Sequence, residues 1–337
     1  MSDRISRIAN RLAIAVLFTS LLTFAGCGSK PNKTSSKLNV VTTVGMVADL
    51  VRQVGGDEVE VIQICGAGVD PHLYKPTRDD VLRIRAADIV FYSGLKLEGK
   101  MVDTLEKVGK SKPVFAITDT IDRSELLSGD ATETSSDSAH ADPHLWNDVS
   151  LWSQCVPLIA EQLGKLRPEA AEKFNAAADT YQTQLAELHQ YGKDVTASIP
   201  EQSRLLITSH DAFSYFGRAY GLEVQGIQGI STESEAGLRR INELVDLLID
   251  RKVTSVFIES SVRPKNVEAL IEGASQRGHE VETGGVLYSD AMGSEGTYEG
   301  TYVGMLDHNL TTTAKALGGV VPEGGFQGKL SGKTDSH

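Results

Sequence analysis

Strand-like and helix-like segments alternate through the first half of the chain. Short runs rich in β-branched and other apolar residues are followed by segments whose apolar positions recur at helical spacing. In order, the pattern predicts strand 39–42, helix 46–54, strand 59–65, helix 78–86, strand 88–92, helix 99–107 and strand 114–117. Such alternation is typical of a parallel sheet covered by helices on both faces. The polar, acidic stretch 128–141 is predicted to be a surface loop.

A long helical pattern separates this half from a second one like it. Apolar side chains recur at helical spacing from Phe174 to Val195, and Pro168 and Pro200 lie where such a helix begins and ends. About thirty residues of helix span roughly 45 Å, which suits a rigid strut between two domains. The second half is predicted to contain strand 205–208, helix 212–220, strand 223–225, helix 238–251, strand 254–258, helix 265–277, strand 280–283 and helix 302–317.

These patterns give a domain organisation. They predict an N-terminal α/β lobe at 38–166, a linking helix at 167–200, a C-terminal α/β lobe at 201–321 and a flexible tail at 322–337.

The N-terminus has the pattern of a secretory signal. Three arginines precede an apolar run at 12–24, which is too short to span a bilayer comfortably, and small residues follow. Ala25-Gly26-Cys27 resembles a bacterial lipobox, in which the cysteine is lipidated. We therefore predict a lipoprotein signal at 1–27 with lipidation of Cys27 and a tether at 28–37. The alternative is an ordinary cleaved signal with an incidental cysteine.

The net charge of the chain excludes one class of partner, and the cysteines leave one question open. The formal net charge of −12 over 337 residues argues against nucleic acid as a partner, since there is no basic surface to release counterions. Cys65 and Cys155 would lie in a compartment that permits disulfides, so whether they pair stays open.

Three histidines lie in unusual local sequences. DPHLY at 70–74 and DPHLW at 142–146 repeat one pattern, in which proline stiffens the loop that presents the histidine. His210 directly follows a predicted strand, and Asp290 lies in the loop after the last strand. The carboxyl ends of strands are where open α/β sheets bind ligands.

These residues form a plausible metal site. Three imidazoles and one carboxylate from His72, His144, His210 and Asp290 suit zinc or a similar ion. Each residue also has an ordinary structural interpretation as a cap or core group. Glu259, at another strand end, could orient a ligand histidine or cap a helix. His140 could capture metal transiently, but a surface role is the simpler interpretation.

One enzyme-like motif fails. GLKLEGK at 94–100 has the spacing of a phosphate-binding loop, but Met101 stands where Ser or Thr must contact magnesium, so we reject a nucleotide site.

Eight motifs in order resemble one family, the zinc/manganese (TroA-like) class of ABC importer binding proteins. They are TVGMVAD at 43–49, GVDPH at 68–72, FYSGLKLE at 91–98, DPHLW at 142–146, SHDAF at 209–213, GISTESE at 229–235, YSDAMG at 288–293 and EGTY at 299–302. The resemblance implies two Rossmann-like lobes joined by a long rigid helix. It also implies that His72, His144, His210 and Asp290 bind Zn²⁺ or Mn²⁺ between the lobes.

The resemblance implies a non-enzymatic, monomeric receptor. It would be held by its lipid at the periplasmic or cell-surface side of a membrane and would deliver the ion to an ABC permease. Two alternatives remain from the sequence, a metal-dependent hydrolase using an activated water and a surface adhesin on the same fold.

Overall fold

The strands and helices alternate as the apolar pattern predicts. The structure, a computed structural model, describes residues 37–129 and 141–330. The first half contains β1 (Leu38–Thr42), α1 (Gly45–Gly55), β2 (Val59–Gln63), α2 (Arg78–Ala86), β3 (Ile89–Tyr92), α3 (Val102–Gly109), β4 (Val114–Ala116), α4 (Val149–Ser153) and α5 (Val156–Leu166). Then follow α6 (Ala171–Ala197), β5 (Leu205–His210), α7 (Ser214–Tyr220), β6 (Glu223–Gln228), α8 (Leu238–Arg251), β7 (Ser255–Glu259), α9 (Lys265–Gln276), β8 (Glu282–Leu287) and α10 (Tyr302–Ala316).

All strand pairings are parallel among the described residues. The first half forms a four-stranded sheet in the order β2-β1-β3-β4. The second half pairs β5 with β6 and β7 with β8, and β5 lies beside β7. Parallel strands need crossover connections, and here helices supply them and cover the sheets. The predicted α/β fold class is therefore confirmed.

The long helix α6 is part of the core rather than a bare strut. Its buried stripe includes Phe174, Tyr181 and Leu188, as the helical spacing predicts. This stripe packs against α1, α4 and α5 on one side of the chain and α7 and α10 on the other. One hydrophobic cluster therefore runs through both halves and the helix between them.

A buried carboxylate ties three helices together. The Tyr181 hydroxyl on α6 donates to Asp49 on α1 at 2.9 Å, and the backbone N–H of Tyr302 at the start of α10 donates to the same oxygen at 3.2 Å. This link resists large rotation of one half against the other, because opening would leave a buried carboxylate unpaired.

The end of the described chain corrects one expectation. A flexible tail was predicted from residue 322, but Phe326 is buried and its ring lies against Tyr191 at 5.5 Å. Its backbone N–H donates to Asp307 at 2.8 Å. Residues 322–330 therefore pack against the rest of the chain through Phe326, and the prediction that they are flexible was wrong.

Two further features concern cysteines and membranes. Cys65 and Cys155 are both buried free thiols, and burial raises the pKa of each to about 12.

Over the residues that the structure describes, no helix combines the length and apolar character needed to cross a bilayer.

Candidate metal centre

Four loops and strand ends bring the predicted ligands to one place. His72 lies in the loop after β2, His144 precedes a short turn, His210 ends β5, and Asp290 follows β8. One nitrogen or oxygen from each side chain lies within 4.8 Å of the others, and all four residues are buried. Residues far apart in sequence meet because parallel strands direct their carboxyl ends to the same edge.

The distances between these atoms describe a tight cluster. The Nε2 atoms of His72 and His144 are 3.2 Å apart. Asp290 Oδ2 lies 3.2 Å from His210 Nε2 and 3.8 Å from His72 Nε2, and its Oδ1 lies 3.4 Å from His144 Nε2. Three Nε2 atoms and a carboxylate thus face one small volume.

Asp142 sets the orientation of His144. Its Oδ1 accepts the backbone N–H of His144 at 2.9 Å and lies 2.7 Å from the ring Nδ1. When the ring is neutral, Nδ1 donates its proton to this carboxylate and Nε2 presents a lone pair to an ion. Such carboxylate–imidazole pairs orient metal-binding histidines in proteins. Asp142 was not predicted in this role, although its position two residues before the histidine is the signal.

Glu259 does the same for His210 from a neighbouring strand. Its Oε1 accepts the His210 backbone N–H at 2.9 Å, and its Oε2 lies 2.5 Å from the ring Nδ1. The orienting role predicted for Glu259 fits this geometry. Both oxygens of the carboxylate are used, which fixes the plane of the ring.

The acid–base properties follow from these neighbours. Burial lowers the pKa of His144, but Asp142 and Asp290 outweigh it and raise that pKa to about 9. His210 behaves alike, because Glu259 and Asp290 outweigh burial and raise its pKa well above the usual value. Burial, reinforced by the other two imidazoles, lowers the pKa of His72 to about 3.

The cluster leaves polar atoms without partners at its centre. His210 Nε2 and both oxygens of Asp290 are buried and make no hydrogen bond. Although burial raises the pKa of Asp290, His210 and His144 hold it well below its usual range, so the carboxylate is ionised. Unpaired buried groups of this kind are costly in a folded protein unless something binds them. Imidazole nitrogens and a carboxylate are donors that fit a divalent transition metal.

Aromatic rings close the site. Trp146, fully buried, lies edge-on to His144 with ring centroids 5.2 Å apart. Its indole N–H donates to the backbone oxygen of Ser289, next to Asp290, at 2.9 Å. The tryptophan of the second pentapeptide therefore connects the two halves beside the ligands and excludes water.

The segment 94–100, rejected above as a phosphate-binding loop, has a structural role. The Glu98 carboxylate accepts the backbone N–H groups of Ser93 and Gly94 and the Thr43 hydroxyl, so it occupies the donors that a phosphate would need. Gly99 has a φ of +38°, and a Cβ there would lie 2.5 Å from the backbone oxygen of His72. This connection therefore supports the His72 loop.

Two predicted residues cannot be placed. Cys27 and His140 lie outside the described residues.

Known proteins resemble this chain along nearly its full length. Residues 40–316 match the family model described as zinc-uptake complex component A, periplasmic. The manganese-binding lipoprotein MntA of Bacillus subtilis is 45% identical over 307 residues, which cover 91% of this chain and 98% of that protein. The zinc-binding protein TroA of Treponema pallidum is 44% identical over 312 residues, covering 92% and 99%.

The fold agrees with these relatives. A solved structure of the periplasmic zinc-binding protein TroA from Treponema pallidum matches with a TM-score of 0.79 at 46% identity, covering 83% of this chain and 99% of that one. The resemblance predicted from the motifs is confirmed, and the chain belongs to the zinc-uptake complex component A family of metal-binding ABC-transporter substrate-binding proteins.

Proposed function

We propose that this protein captures Zn²⁺ or Mn²⁺ outside the cytoplasm and delivers the ion to the permease of an ABC importer. The ligands are His72, His144, His210 and Asp290, and the ion is cargo. One observation carries the proposal: these four buried side chains, two from each half of the chain, converge on one point. His210 Nε2 and both Asp290 oxygens have no hydrogen bond there. The family, whose members include substrate-binding lipoproteins of manganese ABC transporters, supports delivery to a permease.

The donor set favours a receptor over an enzyme. Catalytic zinc sites keep a coordination position open for water, whereas three histidines and a carboxylate complete a tetrahedral shell. Asp290 offers two oxygens to the same volume, which leaves little room for a reactive water. The metal is bound for transport and undergoes no chemistry.

The same four ligands bind both proposed ions, but with different affinities. Affinity at a nitrogen-rich site rises from manganese to zinc, so zinc binds more tightly at equal concentration. A second Asp290 oxygen can expand the shell to suit manganese. The two relatives described above bind manganese in one case and zinc in the other, by their names.

Membrane attachment completes the proposal. Cys27 carries a lipid that holds the protein, as a monomer, at the periplasmic or cell-surface side of a membrane. Replacing Cys27 with Ser would leave the protein in the soluble fraction of cells that retain the wild-type protein in membranes. Equal membrane retention of the two proteins would contradict lipid anchoring.

Calorimetry on the metal-free protein tests the site. His210→Ala removes one nitrogen ligand, so zinc affinity should fall by at least about a hundredfold, since loss of even an orienting partner costs 10–100-fold. His189→Ala is the matched control, because this half-buried histidine on α6 contacts Tyr220 rather than the cluster. Equal zinc affinity of His210→Ala and wild type would refute the ligand assignment.

A further inference from the structure

The pentapeptides DPHLY at 70–74 and DPHLW at 142–146 support their histidines in different ways. In both, the aspartate accepts the backbone N–H of the histidine two residues later, at 2.8 Å for Asp70 and 2.9 Å for Asp142. Asp142 also pairs with the ring of its own histidine. The second oxygen of Asp70 instead faces the second half of the chain, where it accepts a hydrogen bond from the Thr232 hydroxyl at 2.5 Å.

Thr232 is set into the protein from an exposed loop. Ser231, Glu233, Ser234 and Glu235 around it are exposed, whereas Thr232 is only 9% exposed. The loop thus buries one side chain, and that side chain contacts the aspartate of the His72 loop from the other half of the chain. A hydrogen bond to a carboxylate that is partly shielded from water is screened less than a contact at the open surface.

A neighbouring ion pair contributes less. Lys100 Nζ lies 3.1 Å from Glu233 across the same cleft, but both side chains are more than half exposed. Exposed pairs are screened by water and salt and hold little energy. The half-buried Thr232–Asp70 bond is therefore the stronger of the two contacts that link the His72 loop to the second half.

We propose that Thr232 is a positioning residue of the metal site, which acts through Asp70 to hold His72 on the ion and so sets how fast the ion leaves. This inference rests on the proposed function. His144 and His210 are held by carboxylates that pair with their rings, whereas His72 depends on a contact that opens when the two halves separate. His72 is accordingly the first ligand to leave when the ion is released.

The dissociation rate of zinc tests the proposal. Metal-loaded protein is mixed with excess chelator in a stopped-flow instrument, and the rate is compared for wild type, Thr232→Val, Thr232→Ser and Ser231→Ala. Valine keeps the shape without the hydroxyl, so dissociation should accelerate about 10–100-fold. Serine restores the hydroxyl and should return the rate to near that of wild type. Ser231→Ala should not change it, because that hydroxyl bonds only within its own loop.

A double-mutant cycle separates positioning from general loosening. If Thr232 acts through His72, then Thr232→Val should have no further effect in a His72→Ala background. Thr232→Ala repeats the test with a smaller side chain should valine disturb the loop.

Three results would be decisive. An unchanged dissociation rate in Thr232→Val and Thr232→Ala, or an acceleration that persists in the His72→Ala background, would overturn the inference. Failure of the wild-type protein to bind zinc at all would instead refute the proposed function, so the two failures are distinguishable.

Discussion

Glu259→Gln probes the metal site without altering its shape. Glutamine has the size of glutamate but replaces one acceptor oxygen with an amide donor. In the structure both carboxylate oxygens accept, one from the His210 backbone N–H at 2.9 Å and one from the ring Nδ1 at 2.5 Å. Glutamine can accept only one of these two bonds.

Both arrangements of the glutamine weaken metal binding. If its oxygen pairs with the backbone N–H, its amide group faces Nδ1, which must give up its proton. That proton then lies on Nε2, the atom that binds the ion. If the oxygen pairs with Nδ1 instead, a buried backbone N–H loses its partner, at about 1–3 kcal/mol. We expect zinc affinity to fall about 10–100-fold, or roughly 1.4–2.7 kcal/mol.

Competition with a chelator of known zinc affinity measures this loss. Asp307→Asn is the matched control, because Asp307 is also a buried carboxylate that accepts a backbone N–H, yet its partners Tyr298, Thr311 and Phe326 lie away from the ligands. Zinc binding by Glu259→Gln within twofold of wild type would refute this role of Glu259, as would an equal loss of zinc affinity in Asp307→Asn.

Two other outcomes follow from the structure. Burial raises the pKa of Asp307 to about 6, above the ordinary aspartate value of about 3.9. The protonated form therefore stabilises the fold fully below about pH 4, and this contribution is lost as pH rises through 6. Between pH 4 and pH 6, urea unfolding should show wild type losing about 2 kcal/mol of stability relative to Asp307→Asn; parallel curves would contradict the assignment. Zinc at a hundred times its dissociation constant should raise the melting temperature by about 4 °C, since only the folded state forms the site, and an equal shift in His210→Ala would contradict it.

Periodic patterns allowed much of the fold to be predicted from sequence. The stripe from Phe174 to Val195 predicted the long helix, because burial of one face imposes a 3.6-residue period. The same pattern could not show that this stripe packs against both halves, since periodicity identifies a buried face but not its partner. The packing of residues 322–330 was missed for a related reason. One isolated apolar residue, Phe326, gives no periodic pattern from which its burial could be predicted.

The cluster of His72, His144, His210 and Asp290 could be predicted because each residue lies in a short, recognisable segment. A histidine after a strand end or a stiff Asp-Pro turn is visible in one short segment. Asp142 and Thr232 were missed because their roles depend on distances rather than residue type. Asp142 and Asp70 occupy equivalent positions in two similar pentapeptides, yet only the folded chain shows that one contacts its own imidazole and the other a threonine 162 residues away.

In the proposed site, four side chains bind one cation together. Anomalous diffraction at the zinc edge from crystals of zinc-loaded protein tests it directly. We expect a single strong peak about 2.0–2.2 Å from the Nε2 atoms of His72, His144 and His210 and from an oxygen of Asp290. A peak elsewhere, or none beside these four residues, would contradict it.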